Sequence, residues 1–530
     1  MAMNPTTLLD HLKNPALYGP DVDNVTILQT HISFVALTGQ YAYKIKKPVD
    51  FGFLDFSSLG KRKHFCEQEL QLNKRLCPDI YLDVVPLTKK NESLELNGKG
   101  PVVEYAVKMK EFAQENIMTT LLQRRAIDKQ TIETLCTLLV DFYKKNPSTD
   151  EIRSYGTVDV VKRNIDENFE QTASVIGTTI PKETYAYLKQ ANAQFFQQNK
   201  EVFAQRIASG KIQDCHGDLH SGNIVVDDNI CIFDCIEFNN RFRYCDVASD
   251  ISFLAMDLDY QNHPYLSSYL IHTYIEKSDD TGIFTVLNFY KSYRAYVRGK
   301  VIGFRLDDPT INDAEKQEII ATTNNYYALS RYYASLFMLT LTNKKPLLFM
   351  VSGLTGTGKS TLSLKVAVDY HAHLLNTDIV RKELAGIDKY QKHHDPVNTG
   401  LYAPGKVAQT YEKILENTAA LLDQGHNVVL DATFQKKEYR TLAQKVAADH
   451  NAHFIALHCT APDHVVKQWL EERLKEKTVS DGRWEIYVAQ KDSYEPLGTD
   501  EPHIEIDMSN QNYDCRMKQF ETILHSIVEG

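Results

Sequence analysis

The sequence lacks several features that would have narrowed its class. Its nine cysteines form no C-x-x-C pair and are scattered along the chain. That excludes a disulfide-framed secreted scaffold and fits a reducing cytoplasm. Cys231, Cys235 and Cys245 are the one local cluster, and the strand-like run from Ile230 to Phe233 around Cys231 reads as burying free thiols rather than holding a metal. No apolar run reaches the roughly 20 residues needed to span a bilayer. The opening MAMNPTTLLDHLKNPALYG has no basic stretch followed by an apolar one, the mark of a secretory leader. The expectation is a cytoplasmic protein with no membrane partner. Basic excess is missing too: 59 Lys and Arg against 69 Asp and Glu leave a formal net charge of −10. This excludes a broad electrostatic hold on nucleic acid, though not a local basic groove. Internal repeats and low-complexity segments are also absent.

What is present is an ordinary globular composition, 43% hydrophobic and 24% charged over 530 residues, too long for one hydrophobic core. Residues 25 to 110 alternate as antiparallel strands do, for example Tyr41-Ala42-Tyr43-Lys44-Ile45, with one helical segment near Lys61 to Leu76. Residues 115 to 340 carry helical periodicity, interrupted by a strand-rich island at 212 to 236. After the polar stretch Thr342-Asn343-Lys344-Lys345-Pro346, apolar runs alternate with helices, the pattern of a parallel sheet.

The strand Leu347 to Val351 leads into Gly353-Leu354-Thr355-Gly356-Thr357-Gly358-Lys359-Ser360, and Thr361 to Asp369 reads as a helix. Each position has a physical task. The glycines, with Thr355 and Thr357 between them, let backbone N–H groups turn inward around phosphate oxygens, and the helix presents its positive end. Lys359 reaches the outer phosphates, Ser360 holds Mg²⁺, and Thr361 continues the phosphate-facing turn. Asp431 ends the apolar strand Val428-Val429-Leu430 as the carboxylate that completes the Mg²⁺ shell. Asp378 is placed to accept a proton from an acceptor hydroxyl, and Arg381, one turn on, to clamp substrate or phosphate. This Asp-x-x-Arg element resembles that of small P-loop kinases, including zeta-toxin-like sugar-nucleotide kinases and polynucleotide 5′-kinases. Glu471 to Leu474 and Ser480 to Arg483 look like a lid, with Arg473 and Arg483 as candidates to neutralise transferring charge. No second-region signature or sensor arginine of a ring-forming motor follows.

The other informative stretch is Cys215-His216-Gly217-Asp218-Leu219-His220-Ser221-Gly222-Asn223-Ile224, followed by Ile232-Phe233-Asp234. It resembles the catalytic loop of the aminoglycoside phosphotransferase and choline kinase families, His-Gly-Asp-x-His-x-x-Asn with a metal aspartate on the next strand. The resemblance covers about residues 25 to 300. It implies Asp218 as catalytic base, and Asn223 and Asp234 as Mg²⁺ ligands. It further implies a strand lysine, here Lys44, with Lys46 and Lys47 leaving the register open, and a helix glutamate, Glu69 preferred over Glu67. Glu104 to Lys108 resembles the inter-lobe hinge that binds adenine. Gln29 to Thr38 contains no glycine, unlike the phosphate-covering loop of protein kinases, and His31 and Ser33 are placed to contribute there. Arg241 and Arg243 suggest an anionic acceptor.

The expected fold class is therefore multidomain α/β, a bilobal protein-kinase-like α+β fold followed by a P-loop parallel α/β sandwich. The expected domains are an N-lobe at 1–110, a helical C-lobe at 111–342 and a P-loop domain at 346–530. The chain resembles a bacterial fusion of an aminoglycoside-phosphotransferase-like domain with a zeta-toxin-like, AAA-labelled P-loop kinase. That implies a bifunctional phosphotransferase using ATP and Mg²⁺, with small-molecule or nucleotide acceptors. Three other readings stay open: nucleic-acid 5′ ends as the C-terminal acceptor, a regulatory N-terminal domain, and a nucleotide-gated interaction protein.

Overall fold

Alternation of side chains along Tyr41-Ala42-Tyr43-Lys44-Ile45-Lys46 puts Ala42, Lys44 and Lys46 on one face of a strand and Tyr43 and Ile45 on the other. In the computed structural model this strand is β3 (Tyr41–Lys46) of a six-stranded antiparallel sheet. The other strands are β1 (Thr26–Gln29), β2 (Ser33–Leu37), β4 (Tyr81–Lys90), β5 (Ser93–Leu96) and β6 (Val102–Lys110), in the order β1-β2-β3-β6-β4-β5. The structure describes residues 5–91, 93–146, 148–308, 311–391, 399–473, 482–510 and 512–529. Two compact units result, one of residues 1–174, 199–261 and 273–300, the other of 175–198, 262–272 and 301–530.

In the first unit, Tyr43, Ile45, Phe34, Ala36 and Ala106 pack on one side of the sheet with Leu8 and Leu12, while Ala42, Val107 and Met109 face helix α1 (Leu59–Asn73) with Cys66 on the other. Ser58 caps α1 by accepting from the Lys61 N–H. The buried residues of α1 include Arg62, Cys66, Glu69 and Asn73, spaced as one helical face but mostly charged or polar. This face docks by ion pairs. The Arg62 Nε lies 2.9 Å from both carboxylate oxygens of Glu104 on β6, and Glu69 meets lysines on β3. Helical segments follow, joined to β7 (Ile212–Asp214), β8 (Ile224–Val226), β9 (Ile230–Ile232) and β10 (Tyr244–Asp246), and the unit's last helix is α2 (Leu287–Gly303).

In the second unit, five parallel strands run in the order β12-β13-β11-β14-β15. They are β11 (Leu347–Ser352), β12 (Ala372–Asn376), β13 (Asn427–Asp431), β14 (His453–Thr460) and β15 (Ile504–Asp507). Every residue of β11 is buried, as expected of a central parallel strand covered on both faces. Connecting helices include α3 (Lys359–Asp369), α4 (Thr377–Leu384), α5 (Asp463–Arg473) and α6 (Trp484–Ser493). The 30-residue helix Asp313–Thr342 belongs to this unit too: its Tyr332 hydroxyl donates to Asp369 at the end of α3, 2.8 Å away. Among the described residues no helix is long and apolar enough to cross a membrane.

Two expectations are corrected here. Glu104 to Lys108 is not a hinge: it lies inside β6, which pairs with β3 on one side and β4 on the other, so the sheet takes its backbone groups. Cys231 is not a free thiol but is bonded to Cys77 just beyond α1.

Replacing Arg62 with Met should destabilise the first unit by about 3–5 kcal/mol, because Glu104 is left as a buried, unanswered charge. The double change Arg62→Met with Glu104→Met should recover most of that loss. Urea unfolding of the single and double variants checks this.

Candidate active sites

In the first unit, Lys44 Nζ lies 2.8 Å from Glu69 Oε1 and 2.5 Å from Asp234 Oδ1. The β3 strand, α1 and the loop after β9 therefore meet at one ammonium group. Glu69 is fully buried. Burial alone would raise its carboxyl, but Lys44 and Lys46 outweigh burial and hold it below the ordinary range. Glu67 lies outside this arrangement, half-exposed beside Lys63. Asp234 adopts a left-handed backbone, φ 62°, uncommon for a non-glycine residue and a form of strain that recurs at functional positions. Its N–H donates to the Tyr81 hydroxyl at 3.2 Å.

The catalytic-loop motif is held from below by residues the sequence reading did not single out for this task. Asp250 accepts from the His216 and Gly217 N–H groups, at 2.7 and 2.9 Å. Arg294 on α2 donates to the Gly217 carbonyl at 2.9 Å. Gly217 is required: its φ is 85°, and a Cβ there would sit 2.9 Å from the Phe242 carbonyl oxygen. Asn223 Nδ2 donates to the Asp218 carbonyl and to its carboxylate, at 3.0 and 3.1 Å. The Phe233 N–H donates to the Asn223 carbonyl at 2.9 Å, so one hydrogen bond registers Asn223 against the residue preceding Asp234.

Around Asp218, His220 Nε2 lies 3.5 Å from the carboxylate and Arg298 Nη1 3.5 Å from that same ring nitrogen. Burial would push the Asp218 carboxyl up, but His220, Arg298 and His216 together hold it below the ordinary carboxylate range. Arg298 sits one turn after Arg294, and that spacing was the sequence signal available for it. Arg241 and Arg243, expected to meet an anionic acceptor, both have carboxylate partners in the chain itself. Arg241 makes a two-pronged pair with Glu167 at 2.7 and 2.6 Å, and Arg243 is buried against Asp214. Ser33 is buried within β2, whereas His31 is exposed.

In the second unit, the loop from Gly353 joins β11 to α3. Gly356 has φ 83°, and a Cβ there would fall 2.8 Å from Leu470 of α5, so the backbone conformation and the space both demand glycine. Lys359 Nζ donates to the Leu354 carbonyl at 2.9 Å. Burial works against its charge; Asp431 is the first of the groups that offset burial, which still leaves the ammonium below its ordinary range. The Thr357 hydroxyl also donates to Leu354, at 2.8 Å. The Thr355 N–H is taken by the Gln490 side-chain oxygen of α6 at 2.8 Å, a contact with no signal in the sequence. Ser360 and Thr361 lie in the first turn of α3.

Asp431, at the end of β13, is buried, which raises its carboxyl; Lys359, the Ser360 hydroxyl and the Asn376 amide work against that rise. Asn376, not Asp378, caps α4, accepting from the Asp378 and Ile379 N–H groups. This leaves the Asp378 carboxylate for Arg381, 2.5 Å away, whose guanidinium lies 4.6 Å from the Tyr402 ring centroid. Arg473 ends α5, and its charge bears on Lys359. Arg483 is the residue just before α6. Of the expected lid, residues 474–481 lie outside the described residues.

All the expected Mg²⁺ donors are oxygens: Asn223 and Asp234 in the first unit, Ser360 and Asp431 in the second. Such a set suits a hard cation that also takes phosphate and water ligands. No group of three or more His, Cys, Asp and Glu poised for a metal occurs among the described residues, and these donor sets, each with one carboxylate, do not call for one.

Residues 348–497 match the AAA domain family. The match takes in the phosphate loop, Asp378, Asp431, Arg473 and Arg483. An uncharacterized protein of Mycobacterium tuberculosis is 29% identical over 441 residues, 82% of this chain and 84% of its own length. One from Mycobacterium bovis aligns equally. An alignment of 441 residues is longer than the chain on either side of Pro346, so the two-part arrangement recurs there. Among solved structures, Mycobacterium tuberculosis APS kinase CysC in complex with AMPPNP and APS is similar at 19% identity and TM-score 0.26, over 34% of this chain and 99% of its own. A choline/ethanolamine kinase family protein from Mesorhizobium loti is similar at 11% identity and TM-score 0.34, over 62% and 99%. The fold is multidomain α/β, an antiparallel sheet with helices in the first unit and a parallel five-stranded sheet in the second, where the AAA domain match lies.

Because the folded Asp218 carboxyl sits below its ordinary range, its ionised form persists on acidification until that lowered value is reached. The Asp218-dependent rate should therefore show no acid limb from this group between about pH 5 and 7. His220→Asn removes the largest opposing influence and should move that limb upward. ATP hydrolysis by the full chain carrying Lys359→Ala, followed against pH with and without His220→Asn, checks both statements.

Proposed function

We propose that the protein is an ATP- and Mg²⁺-dependent bifunctional phosphotransferase, with an aminoglycoside-phosphotransferase-like kinase in residues 1–342 and a P-loop kinase in 346–530. Each would transfer the γ-phosphate to an acceptor hydroxyl. The observation that carries the reading is the junction of Lys44 with both Glu69 and Asp234, beside an Asp218 braced by Asn223. The further contact of that lysine with the Asp234 carboxylate is not needed to dock α1 on β3. It has clear value for aligning a triphosphate.

In the N-terminal site, Lys44 would hold phosphate oxygens, with Glu69 setting its direction. Asp218 would orient the acceptor hydroxyl and take its proton as transfer proceeds. Asn223 and Asp234 would hold Mg²⁺. In the C-terminal site, the N–H groups of the loop from Gly353 and Lys359 would cradle phosphates, with Ser360 and Asp431 holding Mg²⁺. Asp378 would orient the acceptor there, fixed by Arg381, and Arg473 and Arg483 would offset developing charge. When bound, the metal supplies charge neutralisation between the outer phosphates. Little covalent work remains, so placement and electrostatics carry the rate.

Transfer of γ-³²P from ATP into a fractionated cell extract tests the proposal directly, with wild type, Asp218→Ala and Lys359→Ala side by side. Two sets of labelled products are expected, one lost by about 10²- to 10⁴-fold in Asp218→Ala and the other absent in Lys359→Ala. Loss of both sets in either variant would show that the sites are not independent. No labelled product at all would overturn the kinase reading in favour of a nucleotide-gated interaction protein.

A further inference from the structure

Lys46 is a buried lysine that the phosphotransfer reading leaves without a task. It follows Lys44 by two residues on β3 and so shares its face. Only 1% of its side chain is exposed. Its Nζ lies 2.6 Å from Glu69 Oε2 and closer still to Glu237 Oε1, with the Phe56 ring centroid 4.8 Å away. The two oxygens of Glu69 are thus divided, Oε1 to Lys44 and Oε2 to Lys46. Asp234, Lys44, Glu69, Lys46 and Glu237 form an alternating ladder of charge that joins β3, α1 and the segment after β9. Burial would strip the proton from Lys46, but Glu237 and Glu69 outweigh burial and keep it charged.

On the kinase reading one rung of this ladder would open. Lys44 would hold phosphate and Asp234 the cation, in place of the 2.5 Å contact between them. The Asn73 side chain would still hold the Cys235 N–H from α1, at 2.8 Å, but the Lys44 tie from β3 to the Asp234 segment would be lost. Lys46 supplies a second such tie, three residues beyond Asp234.

We propose that Lys46 and Glu237 are positioning residues of the N-terminal site, keeping Glu69 and Asp234 in register while Lys44 exchanges Asp234 for phosphate. This rests on the kinase reading of that site. Their effect falls on metal-dependent nucleotide affinity, since they act through Glu69 and Asp234 and not on the acceptor. A purely structural ion pair would instead alter stability and metal-free binding to the same degree.

The test uses the full chain with Lys359→Ala to silence the phosphate loop, and measures equilibrium binding of a fluorescent ATP analogue with Mg²⁺ and with EDTA, alongside the melting temperature. Glu237→Gln should weaken Mg²⁺-dependent binding by about tenfold, the lower end of what supporting partners of metal ligands contribute, and change EDTA binding less than twofold. The charge-balanced pair Lys46→Met with Glu237→Gln guards against misfolding and should bind as weakly as Glu237→Gln, whereas Lys46→Arg should retain most of the affinity. If Glu237→Gln and the double variant bind within twofold of the parent, the positioning role is overturned. If Lys44→Met and Asp234→Asn also bind like the parent, the kinase reading itself fails and the inference falls with it.

Discussion

A helix that turns Arg62, Cys66, Glu69 and Asn73 inward cannot dock as an amphipathic helix does. Apolar burial is non-directional and tolerates small rotations, whereas a buried charge is stable only where its countercharge stands. For α1 those points are fixed on adjacent strands, Glu104 on β6 and the two lysines on β3. Two charged anchor points about two helical turns apart, Arg62 and Glu69, set the position of α1 and its rotation together. The aim of Lys44 towards Asp234 follows from that docking, and so does the reach of Lys46 to Glu237.

On the proposed reading the second unit would hold phosphate by an opposite route. Backbone N–H groups in a glycine-rich turn would do most of the work there, and their geometry is set by what packs over them: Leu470 against Gly356 and Met508 against Gly358. The cation is a single buried lysine turned onto the carbonyl of Leu354 in its own loop, with burial against its charge. A phosphate would relieve that tension, because it answers the ammonium without a further carboxylate. In the first unit the ammonium groups of Lys44 and Lys46 already have carboxylate partners.

That difference explains what could be read from the sequence. The loop from Gly353 to Ser360 and the run from His216 to Asn223 depend on local spacing, so their residue order suggested their proposed chemistry directly. Glu69 was legible because helical periodicity separates it from Glu67, which stays at the surface. Lys46 was not, since its second partner, Glu237, lies 191 residues away and only the tertiary fold joins them. The partner of Arg241 was hidden for the same reason: its charge is answered by Glu167, 74 residues upstream. Glu104 to Lys108 carried the alternation of a strand, and reading it as a hinge set that local signal aside. Cys231 looked free because nothing near it in sequence announces Cys77.

On the proposed kinase reading, the charge around Asp218 bears on what kind of base it would be. A carboxylate stabilised by His220 and Arg298 is a weak proton acceptor, and general-base efficiency falls as the acceptor's pKa drops below the working pH. An early, strong pull on the acceptor proton is therefore not what this geometry favours. Asn223, donating to both the backbone and the carboxylate of Asp218, fixes direction and adds nothing to basicity. Asp250 and Arg294 do likewise for the loop beneath it. Each supporting contact spends itself on orientation, as suits a reaction in which the transferring group develops charge with little covalent help and the proton can leave late.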